Sequence, residues 1–130
     1  MKQVTKRLAM VGVCLGMMAL AAGTWAWAEE GESTGPKHTI KEVMTIGHKD
    51  GLLKTVLSGE ATMEQKTQLL DLYISMVECE PSKGSIESWH KLAGQSALAA
   101  AKVVVGREGA LPELKAATNC KACHDAHKGE

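Results

Sequence analysis

Beyond residue 37 the apolar positions recur at three- and four-residue steps, no stretch alternates with period two, and β-branched residues are scattered. That periodicity predicts helices and no sheet. A first helix is expected from about His38 to Ser58, with Ile40, Val43, Met44, Gly47, His48 and Gly51 on one face and Gly59 as its stop. Its two internal glycines each weaken it by ~1 kcal/mol relative to alanine. They mark a break near Gly51, or a place where something bulky approaches the backbone. A second helix opens at Thr62, where Gln65 completes a capping box, and ends at Pro81. Its apolar face is Leu69, Leu72, Tyr73, Met76 and Cys79. A third runs from Ser85 to about Val105, with Trp89, Leu92, Ala93, Ser96, Ala99, Ala100 and Val103 in one stripe. A last helix is expected from Pro112, a residue suited to a first turn, to about Ala126. Short connections favour antiparallel neighbours, so the predicted fold is all-α, a four-helix antiparallel bundle.

The start of the chain has a different character. Lys2, Lys6 and Arg7 precede an apolar run from Leu8 to Ala22, and Ala26-Trp27-Ala28 gives a small-x-small cleavage site. This is the pattern of a secretory signal peptide over residues 1–28. The run is short for a membrane span, which needs ~20 apolar residues, so no span is expected after cleavage. Cys14 sits early in that run after Val13, which is not small, and so makes a poor lipid acceptor. Residues 29–36 read as a flexible polar leader closed by Pro36, and 37–130 as the helical domain. The whole chain carries 15 basic and 15 acidic residues, and loss of three basic signal residues leaves a net charge of −3. A nucleic-acid footprint would be a basic patch with a high pI, so no nucleic-acid partner is expected. The net charge favours a protein partner with a basic docking face.

Chemistry concentrates at Cys120-Lys121-Ala122-Cys123-His124, a C-x-x-C-H sequence. This spacing is the attachment signature of c-type haem. Two thiols add across the two haem vinyl groups as thioethers, and the adjacent histidine can bind the iron as an axial ligand. A thioredoxin-type redox pair would be expected beside a β-α-β pattern, which is missing here. A zinc site usually closes with four ligands, and no second C-x-x-C exists. Cys120 and Cys123 are therefore the covalent sites for one haem c and His124 the proximal ligand. Export fits, because c-type haem is attached outside the cytoplasm, and places the chain in the periplasm. Cys79, left over, reads as a small core hydrophobe rather than a disulfide partner. Aromatic residues are few after the signal, only Tyr73 and Trp89, so a buried ring would add much to the core.

A single C-x-x-C-H close to the end of a four-helix exported chain resembles the class II c-type cytochromes, which include cytochrome c′ and its six-coordinate relatives. Lys128 follows His124 at the spacing where that family often has a basic residue. Trp89 resembles a tryptophan early in the third helix of several members. Met44 resembles the position from which six-coordinate members supply a methionine ligand. Two positions depart from the pattern: His127 stands where an aromatic is usual, and His48 falls near an apolar position over the iron. Relatives of this class often pair through their first two helices, so the resemblance allows a homodimer.

The sixth iron position has three readings. His48 and Met44 lie four residues apart on one helical face, so either can face the haem; the third reading is an open site. Gly47 and Gly51 would let the ring come close to His48, which makes Gly47 and Trp89 haem-lining candidates. His127 shares a helix with His124 and reads as a haem-edge cover or a solvent residue. His38 reads as exposed at a helix start, and His90 as pointing to solvent. Two strong ligands suit electron transfer, and the resemblance then implies a carrier exchanging single electrons with redox partner proteins. An open site suits a five-coordinate protein that binds NO or CO. Peroxide chemistry would want a charge stabiliser beside a distal base. Arg107 is the only arginine after the signal, so an enzyme is not expected.

Overall fold

The computed structural model describes residues 35–129, and the expected signal peptide and most of the expected leader lie outside them. Thr39 starts the first helix with a reciprocal cap. Its Oγ1 accepts from the Glu42 N–H, and Glu42 Oε2 accepts from the Thr39 N–H at 2.8 Å. The Thr39 N–H, and then the Thr39 hydroxyl donating to the same oxygen at 2.8 Å, hold the Glu42 carboxyl below the usual range. After one α-turn, α1 (Ile40–Glu42), the chain continues as a π-helix, Val43–Lys49. The Asp50 N–H reaches the Thr45 carbonyl at 2.8 Å, a five-residue step. The Thr45 hydroxyl donates to the Lys41 carbonyl at 2.9 Å, taking the acceptor an α-ladder would give to its own N–H. π-Turns are rare and tend to occur at functional sites.

Gly51, at φ +88°, ends this stretch and starts α2, Leu52–Leu57. The long first helix expected from the periodicity is thus broken at Gly51 and π-wound before it. Glycine is needed at that left-handed position because a Cβ would clash with the backbone.

Helix α3, Met63–Glu78, begins at the expected capping box, with Thr62 and Gln65 bonded reciprocally. Its buried face is Leu69, Leu72, Tyr73, Ser75 and Met76. Helix α4, Ile86–Val104, starts where Ser85 Oγ accepts from the Ser88 N–H at 3.2 Å. It buries Trp89, Ala93, Ser96, Ala99, Ala100 and Val103, six of the seven positions in the predicted stripe; Leu92 is half-buried. The alanines let α3 lie close, and the Trp89 Nε1–H donates to the Met76 carbonyl at 3.0 Å. That bond joins the start of α4 to the end of α3, so the two run antiparallel. Helix α5, Ala110–Ala117, runs back along α4. The Lys102–Glu113 ion pair and the Ser96 Oγ bond to the Ala117 carbonyl fix its direction.

The last expected helix is two helices. Thr118 ends α5, and Asn119 caps a new one, α6, Cys120–His127. Among the described residues there is no strand, so the fold is all-α, and no helix is long and apolar enough to cross a membrane. The core is formed around Val43, Val56, Leu69, Tyr73, Trp89 and Leu114. Cys79 is buried at the end of α3, with its thiol 3.4 Å from the His38 carbonyl. Burial pushes that thiol's pKa up.

Candidate functional site

The C-x-x-C-H residues form the opening of α6 because Asn119 stops the preceding turn. Its Oδ1 accepts the Ala122 N–H at 3.1 Å, satisfying one of the free donors at a helix start. Cys120 and His124 are exposed and Cys123 is half-buried. The helix is anchored at its other end by His127, which is 4% exposed. Its Nδ1 lies 3.0 Å from the Lys83 carbonyl and its Nε2 3.1 Å from Ser88 Oγ. A carbonyl only accepts, so Nδ1 carries the proton, and in the neutral ring Nε2 accepts from the Ser88 hydroxyl. The ring also meets Trp89 edge-on, with centroids 5.4 Å apart. Ser82 Oγ donates to the His127 carbonyl at 3.2 Å. Gly84 closes the same contact: a Cβ there would stand 2.6 Å from His127 Nδ1 and 2.7 Å from the Ala126 carbonyl, and φ is +85°. His127 is therefore no solvent residue, as one expectation had it. It locks α6 onto the loop between α3 and α4.

Between α6 and the π-helix lie two adjoining clefts, both lined by Met44, His48, Cys123 and His124. The first has a volume of about 580 Å³ counted to its open mouth. Tyr73, Met76, Leu92, Ala93 and Cys120 help complete its wall, and among the described residues no Lys, Arg, Asp or Glu lines it. The second, about 1460 Å³ counted the same way, is wider and polar at its rim, with Lys41, Lys49, Lys128 and Glu80. Trp89 and His127 line it too.

His48 and Met44 thus share the wall opposite His124. The His48 Nε2 lies 3.5 Å from the Tyr73 hydroxyl, and the two rings are tilted at 5.9 Å. Burial pulls the His48 pKa down, with a smaller contribution from the charge of His124 across the cleft. Burial raises the Cys123 thiol, and Cys120 adds to it. Tyr73 is likewise pushed up, by burial and then by Cys120, which places the phenol near the thiol pair.

The other expected site residues fall elsewhere. Gly47 does not line either cleft: the position of its absent side chain points to Leu72 and Leu69 of α3, at 3.8 and 3.9 Å. The space there serves helix packing. His38 is only part-exposed, 3.3 Å from Asp71 Oδ2, and His90 is exposed as expected.

Chemically, this arrangement can grip a flat apolar group from two sides. One wall carries two thiols and an imidazole; the other carries an imidazole and a thioether. Among the described residues no three His, Cys, Asp or Glu side chains gather as a metal cage. An iron held in a ring needs only the axial pair, so the donor set fits that kind of group. The sequence reading missed Tyr73 as a lining residue and Asn119 as the residue that opens α6. Asn119 was legible, since an N-cap residue immediately precedes the motif. Tyr73 gave no such signal beyond its place on an apolar face. No family model, no curated protein and no solved structure matches this chain.

Proposed function

We propose that the chain is an exported, periplasmic monohaem cytochrome resembling the class II c-type cytochromes, which carries single electrons between redox partner proteins. In this reading α1 to α2, α3, α4 and α5 to α6 form the four arms of a bundle around one covalent haem. The observation that supports it most is the shared cleft. Cys120, Cys123 and His124 of α6 face Met44 and His48 of the π-helix across one apolar space. When bound, haem supplies a one-electron ferric–ferrous couple tuned by its axial ligands. Cys120 and Cys123 hold it through thioethers, and His124 gives an imidazole from the same helix. His48 or Met44 gives the second ligand from the opposite wall. Met76, Leu92 and Ala93 exclude water from one side of the cleft, and Trp89 backs the other. No substrate bond is made or broken.

One observation favours the gas-binding alternative. The Tyr73 hydroxyl lies beside His48 Nε2. If that contact persists with the ring bound, His48 stays turned to Tyr73 of α3, and where Met44 does not bind either, the sixth position is open to NO or CO.

Intact mass and an absorption spectrum of the exported protein, in both oxidation states with and without carbon monoxide, test these readings. Haem mass that survives acid–acetone extraction is expected; its loss overturns the proposal. A low-spin ferrous spectrum unaffected by carbon monoxide supports the carrier. With His48 as ligand, His48→Ala turns the iron high-spin and open to carbon monoxide, while Met44→Ala leaves the spectrum nearly unchanged. With Met44 as ligand the two outcomes exchange. A high-spin wild type that takes up carbon monoxide at once replaces the carrier by the gas binder.

A further inference from the structure

The two clefts share four residues but differ in charge, and this asymmetry fixes how a ring with one apolar edge and one anionic edge must lie. We propose, resting on the haem reading above, that Lys41, Lys49 and Lys128 form an anion subsite that holds the two propionate carboxylates of the cofactor. Haem carries its vinyl groups on one edge and its propionates on the opposite one. The vinyl edge must meet Cys120 and Cys123. Cys120 lines only the first of the two clefts, and none of the described lysines or arginines lines that cleft. A carboxylate placed there would lose its water without gaining a lysine or arginine to pair with, which is costly. The second cleft has Lys41, Lys49 and Lys128 against a single Glu80.

The three lysines come from separate elements. Lys41 lies in α1, Lys49 ends the π-helix, and Lys128 caps the end of α6. They therefore approach from both walls of the cleft. None forms an ion pair among the described residues, where Lys37, His38, Lys102 and Lys121 make the recorded pairs. Ammonium groups on flexible stems suit carboxylates whose exact position is set by the ring rather than by the protein. Bridged by two carboxylates, the lysines would tie α1 and the π-helix to α6 across a gap that carries little direct packing. They also run against the net charge of the chain: it is acidic after signal removal, yet the rim of this cleft is basic.

The test uses the exported full chain with haem in place. The variants are the set Lys41→Gln/Lys49→Gln/Lys128→Gln, the charge-keeping set Lys41→Arg/Lys49→Arg/Lys128→Arg, and Lys115→Gln as a charge control outside both clefts. Intact mass first reads whether the wild type carries covalent haem; if it does not, the haem reading itself fails. With haem attached, the readouts are the resonance Raman bending modes of the propionates and the pH profile of the reduction potential at fixed ionic strength. Loss of the lysines should move the propionate modes and shift the propionate-linked step to higher pH, since nearby cations favour the ionised carboxylate. It should also favour the ferric state by roughly tenfold, the scale of a few partly screened unit charges. The arginine set should keep the wild-type step, and Lys115→Gln should leave the propionate modes alone. Unchanged modes and an unchanged step in the glutamine set, with haem mass retained, overturn the subsite while leaving the haem reading in place. So does a glutamine set whose only change is in the salt dependence of exchange with an acidic partner, because the lysines then serve docking.

Discussion

Replacing His127 with phenylalanine should detach the end of α6 without removing the ring that packs on Trp89. The histidine makes two side-chain hydrogen bonds, to the Lys83 carbonyl at 3.0 Å and to Ser88 Oγ at 3.1 Å. A made hydrogen bond is worth about 1 kcal/mol net, and a buried group left without its partner costs about 1–3 kcal/mol. Ser88 is half-buried, so its hydroxyl can turn to water. The Lys83 carbonyl loses the one side-chain donor that ties it to α6. The expected loss is therefore about 2 kcal/mol, or about 10 °C in melting temperature for a domain of this size. Urea denaturation followed by circular dichroism gives the free energy. Amide exchange locates it, because protection should fall first in Cys120–His127. His127→Gln keeps a donor near Lys83 and should lose less than the phenylalanine variant. A His127→Phe change below ~0.5 kcal/mol, within the range of ordinary surface substitutions, would show that the two bonds do not hold α6 in solution.

Asn119→Ala removes the cap that opens α6 and should cost about 1 kcal/mol, with fraying of the first turn of the motif visible in amide exchange; equal protection in both proteins would refute the cap. Asp71 lies 2.7 Å from Lys37 Nζ and 3.3 Å from His38 Nε2. The Lys37 ammonium above all, with a smaller contribution from His38, holds its carboxyl below the usual range against the opposing effect of burial. A depressed carboxylate stabilises the fold above its unfolded value near 3.9 and loses that contribution as pH falls through the folded value. Asp71→Asn should thus cost under about 1 kcal/mol at neutral pH, less in high salt, because the pair is well exposed. The two stability curves should converge as pH falls through the folded value of Asp71; a gap that persists in acid, once the carboxyl is protonated, would mean that Asp71 acts through packing.

Most of the helices could be read from the chain because their signals are local. Thr62 and Gln65 bond each other within one turn, and Pro81 ends α3 whatever surrounds it. The buried stripe of α4 follows from a 3.6-residue period that every amphipathic helix shares. The C-x-x-C-H residues are likewise recognisable from spacing alone, and so is the cap that Asn119 supplies, once it is looked for.

Other features depend on partners distant in sequence, and only tertiary structure decides them. Gly47 could equally have faced a ligand or a neighbouring helix, and the packing of Leu69 and Leu72 chose the helix. The π-winding of Val43–Lys49 changes which carbonyl each amide meets, and no apolar pattern in the sequence distinguishes it from an α-ladder. His127 has the same composition cues as a solvent histidine. Its burial comes from a loop 44 residues earlier, which offers the Lys83 carbonyl at 3.0 Å. The charge asymmetry of the clefts arises the same way. Lys41, Lys49 and Lys128 are scattered in sequence and line one cleft only when α6 and the first helix pack around it, while the chain as a whole carries no such excess. Local hydrogen bonding and periodicity are properties of neighbouring residues, whereas the make-up of a cleft depends on which surfaces the packed helices bring together.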